Sequence, residues 1–173
     1  MNMKDCNMAM TLRALEPEDL DFLYSIENET DMWLVGCTNV PYSYYALQQY
    51  ILNSTNDIYA DKQMRLVILD ENKTPVGLID LFNFEPRHLR AELGIAVKKT
   101  AQNQGYGQNA VKSAIKYAKN ILHLHQLCAL VDVDNVPSMK LFQNAGFKHN
   151  ATLKQWLYDG NTFHDVAVMQ FFL

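Results

Sequence analysis

The segment that most constrains the fold is residues 90–122, RAELGIAVKKTAQNQGYGQNAVKSAIKYAKNIL. Its first eight residues are dense in apolar and small side chains, as in a buried strand. From Gly107 to Leu122 the period becomes helical, and Ala110, Val111, Ala114, Ile115, Ala118, Ile121 and Leu122 fall on one face. Between the two stands Gly105-Tyr106-Gly107. The first turn of a helix leaves N–H groups without intrahelical partners, and the helix dipole adds a modest attraction for negative charge. Two glycines there let the backbone approach an anion with no Cβ in the way. The turn lacks the Gly-Lys-Ser/Thr ending of a nucleotide loop and the third glycine of a dinucleotide site. On this stretch alone, a phosphate cradle and a plain tight turn are equally good readings.

The remaining chain alternates between the same two periods. MTLRAL (10–15) alternates as a strand, and Pro17 opens an amphipathic helix with acidic residues in its first turn. Ser43 is placed to cap a helix running to Asn53. MRLVILD, ENKT and PVGLIDLFNFE read as strand, turn and strand. LCALVDV is a short buried strand, Val136–Ala145 a short helix, and Lys148–Trp156 and His164–Phe172 are closing strands about the turn YDGN. The apolar density of residues 90–97 predicts burial on both faces. With 173 residues, 49% of them hydrophobic, and no linker or repeat, the expectation is one α/β domain over 1–173, residues 1–8 being a flexible tail. A net charge of −4, with no basic cluster denser than Lys98-Lys99, argues against nucleic acid as a partner. Cys6, Cys37 and Cys128 make neither a disulfide framework nor a zinc site. No apolar run has the length of a signal peptide core or a membrane span. The expected setting is the cytoplasm, away from membranes.

Read with its neighbours, the glycine turn becomes specific. Gln102-Asn103-Gln104-Gly105-Tyr106-Gly107 has the form Q/R-x-x-G-x-G/A. VDVDNVPSMKLFQNAGF (131–147) follows N-x-x-A/S-x-x-x-Y-x-x-x-G-F through Asn135, Ser138, Gly146 and Phe147, with Phe142 in the tyrosine's place. Together with RAELGIAV as central strand, these motifs resemble the GNAT acetyltransferase superfamily. LRALEPEDLDFLYSIEN (12–28) and LYDGNTFHDVAVM (157–169) are similar to its branch of ribosomal-protein alanine and spermidine N-acetyltransferases. The resemblance implies a central mixed, mostly antiparallel sheet of six to seven strands, with helices on both faces and a splayed parallel strand pair. It implies acetyl-CoA as cosubstrate and direct attack by a primary amine in a ternary complex. The pyrophosphate would lie on the amides around Gln102, Gly105, Tyr106, Gly107 and Gln108. The pantetheine would run beside Ile95, Ala96 and Val97, near Asn135, which would also cap the following helix. A homodimer or higher homo-oligomer is implied as well.

Transfer requires the acceptor to lose a proton, because an alkyl ammonium has a pKa of about 10.4. Glu92 matches a glutamate that the family often places beside the acceptor amine and is the expected base, acting through water; the alternative is a carboxylate satisfied by Arg87 or Arg90. Asp80 is a second candidate, or else an outward-facing strand residue. Backbone N–H groups of the central strand would hold the oxyanion. The family's tyrosine donates a proton to the departing thiolate, and Phe142 has no hydroxyl to give. Ser138, one turn earlier, is a weak substitute, and Tyr106 and Tyr158 are weaker ones. Without a donor, the alternative function is a non-catalytic acyl-CoA-binding sensor or subunit.

The acceptor is open between a protein N-terminus, a polyamine and another small amine. Glu29, Trp33, Tyr42 and Asp80 are the expected acceptor-side residues, with Tyr44 and Tyr45 as further aromatic wall or as core. Spermidine enzymes of this kind carry acidic residues just before the proline at which this chain has Thr38-Asn39-Val40-Pro41. His123-x-His125 lacks further ligands, so no metal is expected. His164 reads as a sheet residue.

Overall fold

The structure is a computed structural model describing residues 10–29 and 40–173. The expected tail, residues 1–8, and Trp33 lie outside the described residues. The chain runs β1 (Thr11–Ala14), a 3-10 turn (Pro17–Asp19), α1 (Leu20–Glu27), α2 (Tyr44–Asn53), α3 (Ile58–Asp61), β2 (Met64–Leu69) and β3 (Pro75–Glu85). It continues through β4 (Arg90–Val97), α4 (Tyr106–Asn120), β5 (Gln126–Asp132), α5 (Val136–Asn144), β6 (Lys148–Tyr158) and β7 (Phe163–Phe172). One sheet holds all seven strands in the order β1-β2-β3-β4-β5-β7-β6. Among the described residues, only β4 and β5 pair in parallel. The mixed, mostly antiparallel sheet is therefore as expected. The helix ends follow their caps: Ser43 accepts from the Ala46 N–H at 3.1 Å, and Asn135 from the Ser138 N–H at 3.1 Å.

Alternation along the strands divides the apolar residues between two cores. On the first face Ile68, Ile79, Leu81, Leu93, Leu127, Ala129 and Met169 pack with Ala110, Val111, Ala114 and Ala118 of α4 and Phe142 of α5. On the second, Val67, Leu69 and Leu78 pack with Leu20, Leu23 and Ile26 of α1 and Leu47 and Ile51 of α2. One expectation needs correcting here. Strand β4 is not buried on both faces: Ala91 and Leu93 are buried on the first, whereas Glu92, Gly94 and Ala96 are half-buried on the second. The segment carried its apolar residues on one side and small or acidic ones on the other, which is alternation hidden by glycine and alanine.

Strands β4 and β5 separate early. They pair at Arg90↔Gln126, Ala91↔Leu127 and Glu92↔Cys128, and there the pairing stops. Beyond it β4 stays with β3 as far as Val97↔Gly77, while β5 stays with β7 as far as Asp132↔Val166. The two central strands thus open as a V with its apex at Glu92 and Cys128. The β3–β4 contact is very close at Gly77, where an added Cβ would lie 2.5 Å from the Ala96 carbonyl oxygen.

Candidate active site

At the mouth of the V, α4 begins at a glycine that needs to be one. Gly105 caps the helix with φ +91, a left-handed conformation that side chains rarely adopt. The first intrahelical bond runs from the Asn109 N–H to the Gly105 carbonyl at 3.1 Å. The N–H groups of Tyr106, Gly107 and Gln108 precede it and point away from the helix start. Tyr106 buries its side chain in the first core at 7% exposure, so only its backbone faces the mouth, and its hydroxyl is no donor for the thiolate. A Cβ at Gly107 would face Leu141 of α5 at 3.5 Å and Ile95 of β4 at 3.8 Å, across the gap between those elements.

The wall of the V follows from strand geometry. Lys98 N–H donates to the Val76 carbonyl at 2.9 Å, which makes Val97↔Gly77 a non-hydrogen-bonded pair. Alternation then directs the backbone groups of Ala96, Gly94 and Glu92 to β3, and those of Val97, Ile95 and Leu93 toward β5. The Gln102 side-chain amide reaches the Val97 carbonyl from that side at 3.0 Å. Ile95 and Val97 thus offer backbone groups to the opening. Ala96 does not fit this role because its backbone bonds β3 and its side chain joins the second core.

That places Ala96 behind the cleft wall, a correction to its expected place on the cofactor's path.

At the apex, Glu92 projects onto the second face, sharing it with its register partner Phe82. Its carboxylate is held by neither Arg87 nor Arg90: the Asn83 amide donates to Glu92 Oε1 at 3.0 Å. Cys128, its partner across the parallel pair, is half-buried, and burial first and Glu92 second push its thiol above the ordinary range. On the first face, Phe142 is 4% exposed and packs edge-on against Phe147 at 5.1 Å. Ser138 shares its side of α5 but lies about 6 Å nearer the mouth at the usual helical rise. That puts it beside the wide part of the V and away from the apex, so it is poorly placed as a proton donor there. Tyr158 is 60% exposed and stacks on Phe163 at 4.8 Å in the β6–β7 hairpin.

Around the second face, Arg65 of β2 organises the carboxylates. Its Nε and Nη2 bond Asp80 Oδ1 and Oδ2 at 2.8 and 3.0 Å, its Nη1 bonds Glu27 Oε1, and its guanidinium lies over the Tyr50 ring at 5.4 Å. Burial works to lower the Arg65 pKa, and Asp80 and Glu27 more than offset it, so the guanidinium is held above its ordinary range. Asp80 is therefore neither an outward-facing strand residue nor a base, since both of its oxygens are engaged. Glu29 is half-buried just past α1. Tyr42 is exposed, and the Asn28 side chain clamps its backbone, accepting from its N–H at 2.8 Å and donating to its carbonyl at 3.1 Å. Tyr44 and Tyr45 are exposed too, which excludes them from the core.

A glycine-started helix, a split parallel pair and a glutamate at the split thus border one opening of the sheet. Residues 9–148 match the family described as the Acetyltransferase (GNAT) domain. This chain belongs to the GNAT acetyltransferases. The spermidine N(1)-acetyltransferase of Vibrio cholerae serotype O1 is 27% identical over 163 residues, covering 94% of this chain and 92% of that protein. That of Escherichia coli K12 is 23% identical over 168 residues, covering 95% and 86%. The crystal structure of the Vibrio cholerae spermidine N-acetyltransferase in complex with CoA and spermine matches at a TM-score of 0.84 and 27% identity, covering 94% of this chain and 95% of that one. A dodecameric structure of spermidine N-acetyltransferase from the same organism matches at a TM-score of 0.79 and 28% identity, covering 94% and 93%. The chain is an acetyl-CoA-dependent amine N-acetyltransferase, and the reading as a non-catalytic acyl-CoA sensor is not favoured. No described helix is long and apolar enough to cross a membrane.

Sequence reasoning missed three features of this acetyltransferase. Asn83 and Arg65 gave no signal, because their partners are fixed only by strand register. The third is a cluster around His164, whose Nε2 lies 3.0 Å from Asp159 and whose Nδ1 lies 3.3 Å from Asp134 and 3.6 Å from Asp132. One ligand atom each from Asp132, Asp134 and His164 falls within 4.8 Å of the others. Asp159 first, with Asp134 and Asp132, raises the His164 pKa against desolvation. His123 and His125 take no part in it.

Proposed function

We propose that this acetyltransferase acetylates a primary amine of a polyamine, with Glu92 as the base. The observation that carries the reading is the position of Glu92 on the last β4–β5 rung, where the V closes. Acetyl-CoA fits the opening with its pyrophosphate on the amides of Gly105 to Gln108, Gln102 bordering the site, and its pantetheine along Ile95 and Val97. Asn135, already spent as the cap of α5, borders the same space. The thioester would then reach the apex from the mouth, and the acceptor would approach Glu92 from the second face.

The chemistry follows in order. Glu92 takes a proton from the acceptor ammonium through a water, leaving a neutral amine. The amine lone pair forms the C–N bond to the thioester carbonyl carbon, and the resulting oxyanion accepts from β4 N–H groups facing the opening. The C–S bond then breaks, CoA leaves as a thiolate, and the second proton on the acceptor nitrogen passes to solvent water, leaving the neutral amide. A thiol pKa of about 8.5 makes that departure feasible without a hydroxyl on α5. Phe142 therefore slows the enzyme without disabling it.

A polyamine suits the acceptor side in two respects. Both spermidine N(1)-acetyltransferases cover most of the chain, and one neighbour was crystallised with spermine. Glu27 and Asp80 gather about Arg65 on that side of the sheet, and Glu92 lies on the same face. Glu29 and Tyr42 lie at its edge as acceptor contacts. A homo-oligomer is part of the same proposal, supported by the dodecameric neighbour, and so is a cytoplasmic setting. The test measures CoA release from acetyl-CoA with spermidine, spermine, butylamine and a peptide with an N-terminal alanine. Turnover with the polyamines at least tenfold above the others is expected. Turnover with the peptide alone would overturn the acceptor class.

A further inference from the structure

We infer that Asn83 is a positioning residue for Glu92, delivered to it by a bulge in β3. Strand β3 pairs Phe82↔Glu92 and next Glu85↔Arg90, so three steps along β3 match two along β4. One extra residue is accommodated there. Regular alternation would send Asn83 to the first face with Leu81 and Phe84 to the second with Phe82. Instead Phe84 is 3% exposed in the first core and meets Tyr59 edge-on at 5.0 Å. Asn83 lies on the Glu92 side, at φ +48, in the left-handed region that asparagine tolerates better than most residues. The bulge thus turns Phe84 into the core and hands Asn83, the residue before it, to the carboxylate.

The chemistry of the contact matters as much as its place. Two carboxylates stand two residues apart in register on the same face, since Asp80 pairs with Gly94 and Phe82 with Glu92. Arg65 takes both oxygens of Asp80 and supplies a full positive charge. Asn83 takes one oxygen of Glu92 and supplies no charge. An arginine in its place would occupy the carboxylate as Arg65 occupies Asp80. A single neutral donor fixes the rotamer, leaves Oε2 to face a water, and leaves the carboxylate's charge for proton transfer. The bulge and the amide together define an oriented base.

This inference rests on Glu92 being the base, and the experiment separates the two ideas. Wild type, Asn83→Gly, Asn83→Asp, Glu92→Gln and the double variant Asn83→Gly/Glu92→Gln are compared for kcat, KM for acetyl-CoA and KM for spermidine, with melting temperatures. Glycine suits φ +48 and removes only the amide, so the fold is expected to hold. Should it melt early, Asn83→Asp keeps the backbone preference and replaces the donor by an acceptor. The expected result is a kcat loss of about ten- to hundredfold in either Asn83 variant, with KM for acetyl-CoA unchanged. In the Glu92→Gln background, Asn83→Gly is expected to add no further loss. Wild-type kcat in both Asn83 variants, or an equal loss with and without Glu92, would overturn the positioning role alone. Wild-type kcat in Glu92→Gln would remove the base assignment and this inference with it.

Discussion

The cofactor side and the acceptor side of the cleft are made of different materials. On the cofactor side, as proposed, the groups turned to the opening are backbone ones: the N–H groups opening α4 and the edge of β4 at Ile95 and Val97. Among its side chains, Tyr106 and Phe142 are buried in the first core. On the acceptor side, as proposed, the groups are side chains held by other side chains, Asn83 on Glu92 and Arg65 on Asp80 and Glu27. Backbone sites are set by local sequence, such as a glycine before a helix. Side-chain sites depend on register and distant partners. The first kind tolerates changes in its surroundings, whereas the second is lost when one partner goes.

That contrast is sharpest if the two sides can be broken separately. Glu92→Gln is expected to reduce kcat by about 10²–10⁴ while leaving CoA affinity unchanged, measured by steady-state kinetics and calorimetry. Arg65→Leu leaves two carboxylates facing each other, each about a fifth exposed (22% for both Glu27 and Asp80). The cost is about 3 kcal/mol of folding stability, read by urea denaturation, again without a specific effect on CoA. Equal damage to CoA binding would show that the two sides are not independent.

On the cofactor side, Gly105→Val forces a β-branched residue to φ +91. A strain of about 1–3 kcal/mol is expected to appear as roughly tenfold weaker CoA binding, with the spermidine KM little changed. The smallest effect concerns His164. Its hydrogen bond to Asp159, opposed by desolvation and helped by Asp134 and Asp132, raises its pKa above the ordinary 6.5. The folded protein therefore holds that proton more tightly than the unfolded chain. Its contribution is complete below about pH 6.5 and fades as pH rises through the folded value. Melting temperatures across that interval should fall less steeply for His164→Gln than for wild type.

The same contrast explains what could be read beforehand. Ser43 and Asn135 announced their helices because capping is a contact within three residues. The Gly105 turn announced the start of α4 for the same reason. The sequence of β4 misled on burial, since Gly94 and Ala96 look apolar while facing the second side. The bulge at Asn83 left no trace in the pattern of PVGLIDLFNFE, where Phe82 and Phe84 look like one face and lie on two. Asp80 looked like a solvent-facing strand residue because Arg65 is fifteen residues away and meets it only through β2–β3 pairing. His164 gathered its carboxylates from β5, the β5–α5 turn and the β6–β7 turn.

The most direct test of the account is a crystal structure of the protein with CoA. The pyrophosphate is predicted on the amides of Tyr106, Gly107 and Gln108, the pantetheine beside Ile95 and Val97, and the sulfur at the Glu92–Cys128 rung. CoA bound elsewhere, or a sulfur far from that rung, would contradict it.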